Sequence, residues 1–426
     1  MESFKFLHAA DVHLDSPLRG LSRYEGVPAD DVRIATRTAL NNLIDAAIEE
    51  RVAFIVIAGD IYDGDWQHFG TGLFFCAAMG RLEKAGIDVF LLYGNHDAES
   101  VQTKKLPLPK NVRTFDTEKP ATFIHEATAT ALHGWSYKIK DTRANLAASY
   151  PVALPNHLNI GVLHTALTGG RPPHAPYAPC SPAELSARGY HYWALGHVHD
   201  FEVVSESPFI VFPGNLQGRN IRECGAKGAV IVTVEDGAIV ELPRPIPLDA
   251  VRWARVGVDT ENLDHDRDIQ SRVRDGLNQA FSEADGRPLV VRVTLTGRTA
   301  LHGDLARRRE QLREDIRGIA IAISDQLWIE KVVVNTEALS AHVPGAASAL
   351  EELGALLASG SQDAALTSAF EAEMDEFLAK IAPDLGSDDD LLGRLRTGAV
   401  PAPLEDAGVV LQAQLSHESD LCALPN

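Results

Sequence analysis

The stretch Phe4-Lys5-Phe6-Leu7-His8-Ala9-Ala10-Asp11-Val12-His13 decides how this chain folds. A short apolar strand, Phe4 to Ala9, breaks directly into two metal-ligating side chains one residue apart. The same construction recurs. An unbroken strand from Val52 to Ala58 leads into Gly59-Asp60-Ile61-Tyr62-Asp63, and an apolar strand from Ile87 to Tyr93 leads into Gly94-Asn95-His96-Asp97. Leu158 to His164 ends on its histidine, and Tyr192 to Leu195 runs into Gly196-His197-Val198-His199. Open α/β sheets place ligand-binding loops at such strand ends.

Between these strands lie helical segments. Leu40, Leu43, Ile44, Ala47 and Ile48 recur at helical spacing, and a second helix is expected from Phe69 to Lys84. Further strands are expected at Ala121 to His125, Ala129 to His133, Phe209 to Phe212 and Val230 to Val234. This alternation describes one α/β domain over 1–245. The run Pro243-Arg244-Pro245-Ile246-Pro247 is expected to be a stiff linker, because each proline fixes its own φ and restricts its predecessor. A small α/β domain over 250–340 should follow. Its expected order is strand (Trp253 to Val258), helix (Ile269, Val273, Leu277 and Phe281 on one face), strand (Leu289 to Leu295), helix (Leu305 to Ile316) and strand (Trp328 to Asn335). Residues 341–426 form an Ala-rich, helical and acidic tail, with an apolar stripe of Phe370, Met374, Phe377, Leu378 and Ile381.

The chain has 426 residues, 45% of them hydrophobic, which is enough for two or three domains with proper cores. Its 39 basic and 59 acidic side chains leave a net charge of -20. A polyanionic substrate looks disfavoured until the charge is located. The tail holds 15 acidic and 3 basic residues, so only -8 of the total belongs to the rest. Four scattered cysteines and no Cys-x-x-Cys exclude a disulfide framework and a thiolate zinc site. With no span of about 20 apolar residues and no signal-peptide pattern at the start, no membrane association is expected and the chain reads as cytoplasmic.

The five clusters offer carboxylates, imidazoles and one amide oxygen. These suit Mn²⁺, Fe²⁺, Co²⁺ or Zn²⁺ better than Ca²⁺ alone. In extended backbone, residues i and i+2 point the same way, so Asp11/His13 and His197/His199 can each present paired donors. Seven donors serve two ions if one carboxylate bridges them. Such a pair activates water and clamps a phosphoryl centre.

These clusters, in this order, resemble the five signatures of the calcineurin-like metallophosphoesterase superfamily. Within it the chain is similar to the SbcD-type DNA-repair nuclease branch and its YhaO-like members, on the strings Phe6 to Pro17, Gly170 to Cys180 and Phe212 to Arg219. The resemblance implies a four-layer αββα sandwich, followed by the small α/β capping domain and the helical acidic tail. It implies that Asp11, His13, Asp60 and His199 hold one divalent ion, most commonly Mn²⁺, while Asp60, Asn95, His164 and His197 hold the second. Asp60 would be the bridge. His96 would face the scissile phosphate and assist the leaving oxygen, with Asp63 orienting it. Protein phosphatases of the superfamily have an arginine after the second motif's last Asp; here Gly64-Asp65 follow, which disfavours a phosphoprotein substrate.

Arg219, Arg222 and Arg171 are candidate phosphate-binding residues, with surface ion pairing the ordinary alternative for the first two. Trp66, Tyr177 and Trp193 are candidates for base stacking, or simply core. By resemblance the activity is DNA exonuclease or endonuclease cleavage in repair, beside a coiled-coil ATPase of the SMC kind, and as a homodimer. The stripe at Phe370 to Ile381 is a candidate docking helix, with packing on its own domain as the alternative. Two other readings stay open: a small-molecule or cyclic-nucleotide phosphodiesterase, and a metal-binding regulatory subunit.

Overall fold

The computed structural model describes residues 3–16, 29–63, 69–99, 107–168 and 177–339, with the isolated Ser368 and Glu373. Arg171, Trp66, Gly64, Asp65 and the stripe at Phe370 to Ile381 lie outside the described residues.

The first sheet grows from the opening strand. β1 (Phe4–Ala9) pairs in parallel with β2 (Phe54–Ala58), β2 with β3 (Asp88–Leu92), and β3 with β4 (Val112–Thr114). All five residues of β2 are buried, as expected of a central strand covered on both faces. On the outer face of the sheet lie α1 (Ala29–Glu49) and α2 (Phe69–Lys84). Leu40, Leu43, Ile44 and Ala47 of α1 and Phe75, Met79 and Leu82 of α2 pack there with Leu7, Ile55, Ile57 and Leu91.

A short α3 (Asn95–Glu99) follows β3, and the chain then builds a second sheet from β5 (Ala121–His125), β6 (Thr130–Gly134), β7 (Leu158–His164), β8 (Tyr192–Gly196), β9 (Phe201–Glu206) and β10 (Phe209–Pro213). Its order is β5-β6-β7-β8-β10-β9, with β6, β7, β8 and β10 parallel. The inner faces share one core, in which Phe6, Phe54, Val56 and Phe90 meet Leu132, Ile160, Tyr192 and Val211. Each fully buried side chain of this size contributes roughly 1.5–3 kcal/mol. On the far side Tyr137, Tyr150, Trp193 and Leu195 pack with Leu185 of α4 (Pro182–Ser186). The layers are therefore helix, sheet, sheet and an outer layer of short helix and loop, the expected αββα order.

β11 (Gly228–Glu235) returns antiparallel to β1, and β12 (Ala238–Ile239) extends the first sheet. The proline run is not a linker: β13 (Arg244–Pro247) pairs antiparallel with β11, Pro245 opposite Val230 and Pro247 opposite Gly228. Proline is tolerated there because the strand lies off the main path of the sheet, where its missing N–H breaks no inner ladder.

Beyond this, β14 (Arg252–Asp259), α5 (Asp266–Glu283), β15 (Leu289–Thr299), α6 (His302–Arg307), α7 (Arg309–Ile323) and β16 (Leu327–Ala338) form a three-stranded sheet, order β14-β15-β16, with its helices. α5 buries Ile269, Val273 and Leu277; α7 buries Leu312, Ile316, Ile319 and Ala320. Of the described residues, one compact unit takes those up to Arg255 with Ala280–Val291 and Gln326–Glu330; the other takes Val256–Gln279, Arg292–Asp325 and Lys331 to Leu339. Among the described residues no helix is long and apolar enough to cross a membrane.

Candidate metal centre

All five clusters meet at one end of the two sheets. The loops after β1 and β2 prolong the parallel ladder: the Asp11 amide donates to Gly59 O, that of His13 to Asp60 O and that of Leu14 to Ile61 O. The loop after β3 is tied to them by Asp97. Its buried carboxylate accepts from the backbone amides of Ile61, Tyr62 and Gly94. Burial and the nearby Asp60 charge push the Asp97 carboxyl up to about 7.

These loops do not keep the extended backbone expected of them. Asp11, His13, Asp60 and His197 have φ of 49°, 44°, 53° and 100°, a left-handed region costly for non-glycine residues. Donors converge because the backbone is bent there; strand alternation is not the cause. Gly59, at φ 97°, is needed in addition for space, since a Cβ on it would lie 2.4 Å from His164 Nδ1.

Around Asp11, Oδ2 accepts from the His197 amide at 2.9 Å, whereas Oδ1 is buried with no hydrogen-bond donor. That oxygen lies 3.5 Å from His199 Nε2 and 3.9 Å from His13 Nε2, and the two Nε2 atoms are 3.4 Å apart. Asp60 turns Oδ1 to the His96 amide at 2.9 Å and Oδ2 to His164 Nε2 at 3.4 Å and His13 Nε2 at 4.0 Å. His164 Nε2 is also 2.9 Å from Asn95 Oδ1, its Nδ1 is fixed on Ala58 O, and its carbonyl accepts from the Tyr137 hydroxyl. His197 lies with its ring 5.3 Å from that of His164.

Three overlapping donor sets therefore lie within ligand reach: Asp11/His13/His199, Asp11/Asp60/His164 and His13/Asp60/His96. The orphaned Asp11 oxygen and the facing imidazole nitrogens fit divalent cations. Asp60 faces both sides, as a bridge must. The structure thus brings together Asp11, His13, Asp60, Asn95, His164, His197 and His199, all of them buried except His199, whose side chain is 18% exposed. His96 also comes within ligand distance of His13 and Asp60, but its side chain stays 32% exposed, with Nδ1 3.4 Å from Asp63 Oδ1.

The charges support each other. Burial opposes protonation of His164 and His199, yet Asp60 for the first, and Asp11 with Glu223 for the second, hold each imidazole up at about 9. His13 goes the other way, to about 4, because of burial and the Arg219 charge. Burial pushes the Asp63 carboxyl up, but His13, Arg219 and the Ser16 hydroxyl outweigh it and hold it well below the carboxylate range.

Arg219 belongs inside the site. Its guanidinium lies 3.2 Å from Glu223 Oε1 and 3.7 Å from Asp63 Oδ1, and its Nε is buried without a partner. Arg222 is exposed. Trp193 is fully buried core, whereas Tyr177 is half-buried with its ring 5.5 Å from that of His197. Two residues of the site carry no assigned role in the sequence: Asp97, which ties the loops together, and Glu223, which receives His199 Nδ1 at 2.8 Å.

A paired-donor cluster of this kind at the mouth of an αββα sandwich defines a metallophosphoesterase. The calcineurin-like phosphoesterase family model matches residues 4–201, and the model of the metallophosphoesterase YhaO middle domain matches residues 253–337. The chain belongs to the calcineurin-like metallophosphoesterase family, and it is a metal-dependent phosphoester hydrolase. It is similar to metallophosphoesterase YhaO of Bacillus subtilis, 34% identical over 68% of this chain and 71% of that protein. Weaker similarity joins it to the DNA double-strand break repair protein Mre11 of Methanopyrus kandleri, 25% identical over 64% of this chain and 63% of that one. For Mre11 of Thermoplasma acidophilum the figures are 24%, 76% and 83%.

Proposed function

We propose that this phosphoesterase is a two-metal phosphodiesterase acting on DNA, using Mn²⁺, in the cytoplasm. One observation carries the reading: a floor of mostly buried ligand atoms drawn from five loops, with the more open, half-buried imidazole of His96 beside Asp63. When bound, a divalent pair lowers the pKa of water and screens phosphoryl charge. The pair would be held by Asp11, His13, Asp60, Asn95, His164, His197 and His199. Asp63 occupies the Nδ1 side of His96, leaving Nε2 for the leaving oxygen, to which it would pass a proton as the P–O bond breaks. Arg219, clamped between Glu223 and Asp63, adds positive charge at the same rim without being free to swing out.

The choice of DNA is supported by the double-strand break repair proteins among the relatives. Charge qualifies it. With -8 outside 341–426, this chain has little general basic field, so firm DNA binding falls to the cluster, local arginines and a partner. An SMC-like coiled-coil ATPase is the proposed partner, with the chain acting as a homodimer.

Purified protein incubated with Mn²⁺ and linear, hairpin or single-stranded DNA should shorten at least one of them, and chelation should stop it. Brisk hydrolysis of bis(p-nitrophenyl) phosphate with every DNA left intact would replace this reading by a small-molecule phosphodiesterase.

A further inference from the structure

Glu223 lies outside all five motifs, in the loop between β10 and β11, yet four donors converge on its buried carboxylate. Oε1 takes His199 Nδ1 at 2.8 Å and Arg219 Nη2 at 3.2 Å; Oε2 takes the Arg219 amide at 2.7 Å and Asn215 Nδ2 at 2.9 Å. Three of these donors do not belong to His199, so the carboxylate is fixed independently of the imidazole it receives. The loop itself is anchored. The Gln217 side chain bonds the backbone of Ala250 and Val251, and Trp253 Nε1 donates to Gly218 O. Lys227, buried at the end of the same loop, donates to the His199 carbonyl and to Asp200, both at 2.7 Å.

An ionised carboxylate only accepts hydrogen bonds, so the His199 nitrogen facing it carries hydrogen. The other nitrogen, Nε2, is the one turned to Asp11 and His13. We infer that Glu223 is a positioning residue for ion binding: it sets the tautomer and ring plane of His199 and so preorganises the Asp11/His13/His199 set. Such outer carboxylates raise the basicity of the imidazole and typically govern affinity by 10- to 100-fold. The inference rests on His199 being a metal ligand.

The test is Mn²⁺ binding by titration calorimetry on the full chain, for wild type, Glu223→Ala and Glu223→Gln. Wild type should bind two ions. In Glu223→Ala the affinity of one ion should fall at least about tenfold, with a smaller fall in Glu223→Gln, which keeps one acceptor oxygen. Activity lost in either variant should return at high Mn²⁺, because the ligands themselves remain; a merely structural defect would not respond to metal. Wild-type affinity for both ions in a folded Glu223→Ala overturns the inference. If that variant does not fold, wild-type affinity in Glu223→Gln does so. A wild-type protein that binds no Mn²⁺ overturns it together with the ligand assignment, an outcome distinct from variants that bind as well as wild type.

Discussion

Oδ2 of Asp60 stands 3.4 Å from Nε2 of His164, a contact made from the end of β2 in the first sheet to the end of β7 in the second. The same oxygen is 4.0 Å from His13 Nε2, so a single atom serves donors on both sides of the cluster. Replacing Asp60 with alanine should therefore strip both ions. Metal analysis after gel filtration in Mn²⁺ should fall from two equivalents toward none; retention of one full equivalent would show that Asp60 is not shared.

His96 should behave differently. Its backbone amide, which holds Asp60 Oδ1, survives any side-chain change. His96→Ala should keep both ions and lose about 10²- to 10⁴-fold in kcat, the usual contribution of a positioned proton donor. Metal content and single-turnover rate measured on one preparation check this. An equal fall in metal occupancy would make His96 a ligand, as its reach to His13 and Asp60 allows.

Gly196 ends β8 against Ala58, the last residue of β2 in the other sheet. A Cβ there would lie 2.0 Å from Ala58 O and 2.9 Å from His164 Nδ1. Because the first obstacle is backbone, the sheets must part to accept it. Gly196→Ala should lose roughly 1–3 kcal/mol of stability, read from the urea midpoint, and should weaken Mn²⁺ binding. A stable variant with unimpaired binding would show that the seam can open cheaply.

Acid sensitivity should trace partly to His8, a buried residue outside the cluster. Leu195 O can only accept, so His8 Nε2 carries hydrogen and Nδ1 accepts from the Tyr192 hydroxyl. Burial drives its pKa down to about 3, so the folded state keeps the ring neutral while an unfolded chain protonates it near 6.5. The lowered value makes stability full above pH 6.5 and progressively lost as pH falls toward 3, by up to about 1.4 kcal/mol per pH unit. His8→Gln supplies the same donor and acceptor without titrating. The difference in unfolding free energy between the two proteins should change between pH 7 and 5; a constant difference would refute the assignment.

The sequence carries the strands well because buried parallel strands are written as apolar runs: the expected bounds at Phe4 to Ala9 and Leu158 to His164 match the structure residue for residue, and so do those of the antiparallel edge strand Ala121 to His125. The proline run was misleading because proline composition does not distinguish a linker from an edge strand, and only the pairing partner β11 decides. Which residues gather at the cluster was readable; the backbone that gathers them was not. Left-handed backbone at Asp11, His13 and Asp60 is imposed by the paired loops, and no spacing of residue types announces it. Glu223 was hidden for a similar reason. Its partner His199 is 24 residues away, with β9 and β10 between them.

The candidate cluster takes Asp11, Asp60 and Asn95 from the ends of the first sheet's strands and His164, His197 and His199 from the second's. The layers meet through a seam of aromatic packing in which Phe6 stacks on Phe54 and stands edge-on to Tyr192. Any slide of one sheet over the other changes the distance between Asp60 and His164. Ion affinity thereby becomes a gauge of interlayer register. A trimmed ring at Phe54 or Tyr192, each at the start of a strand that leads into a motif and not in the motif itself, would be felt at the cluster as a change in hold on its ions before it was felt as unfolding.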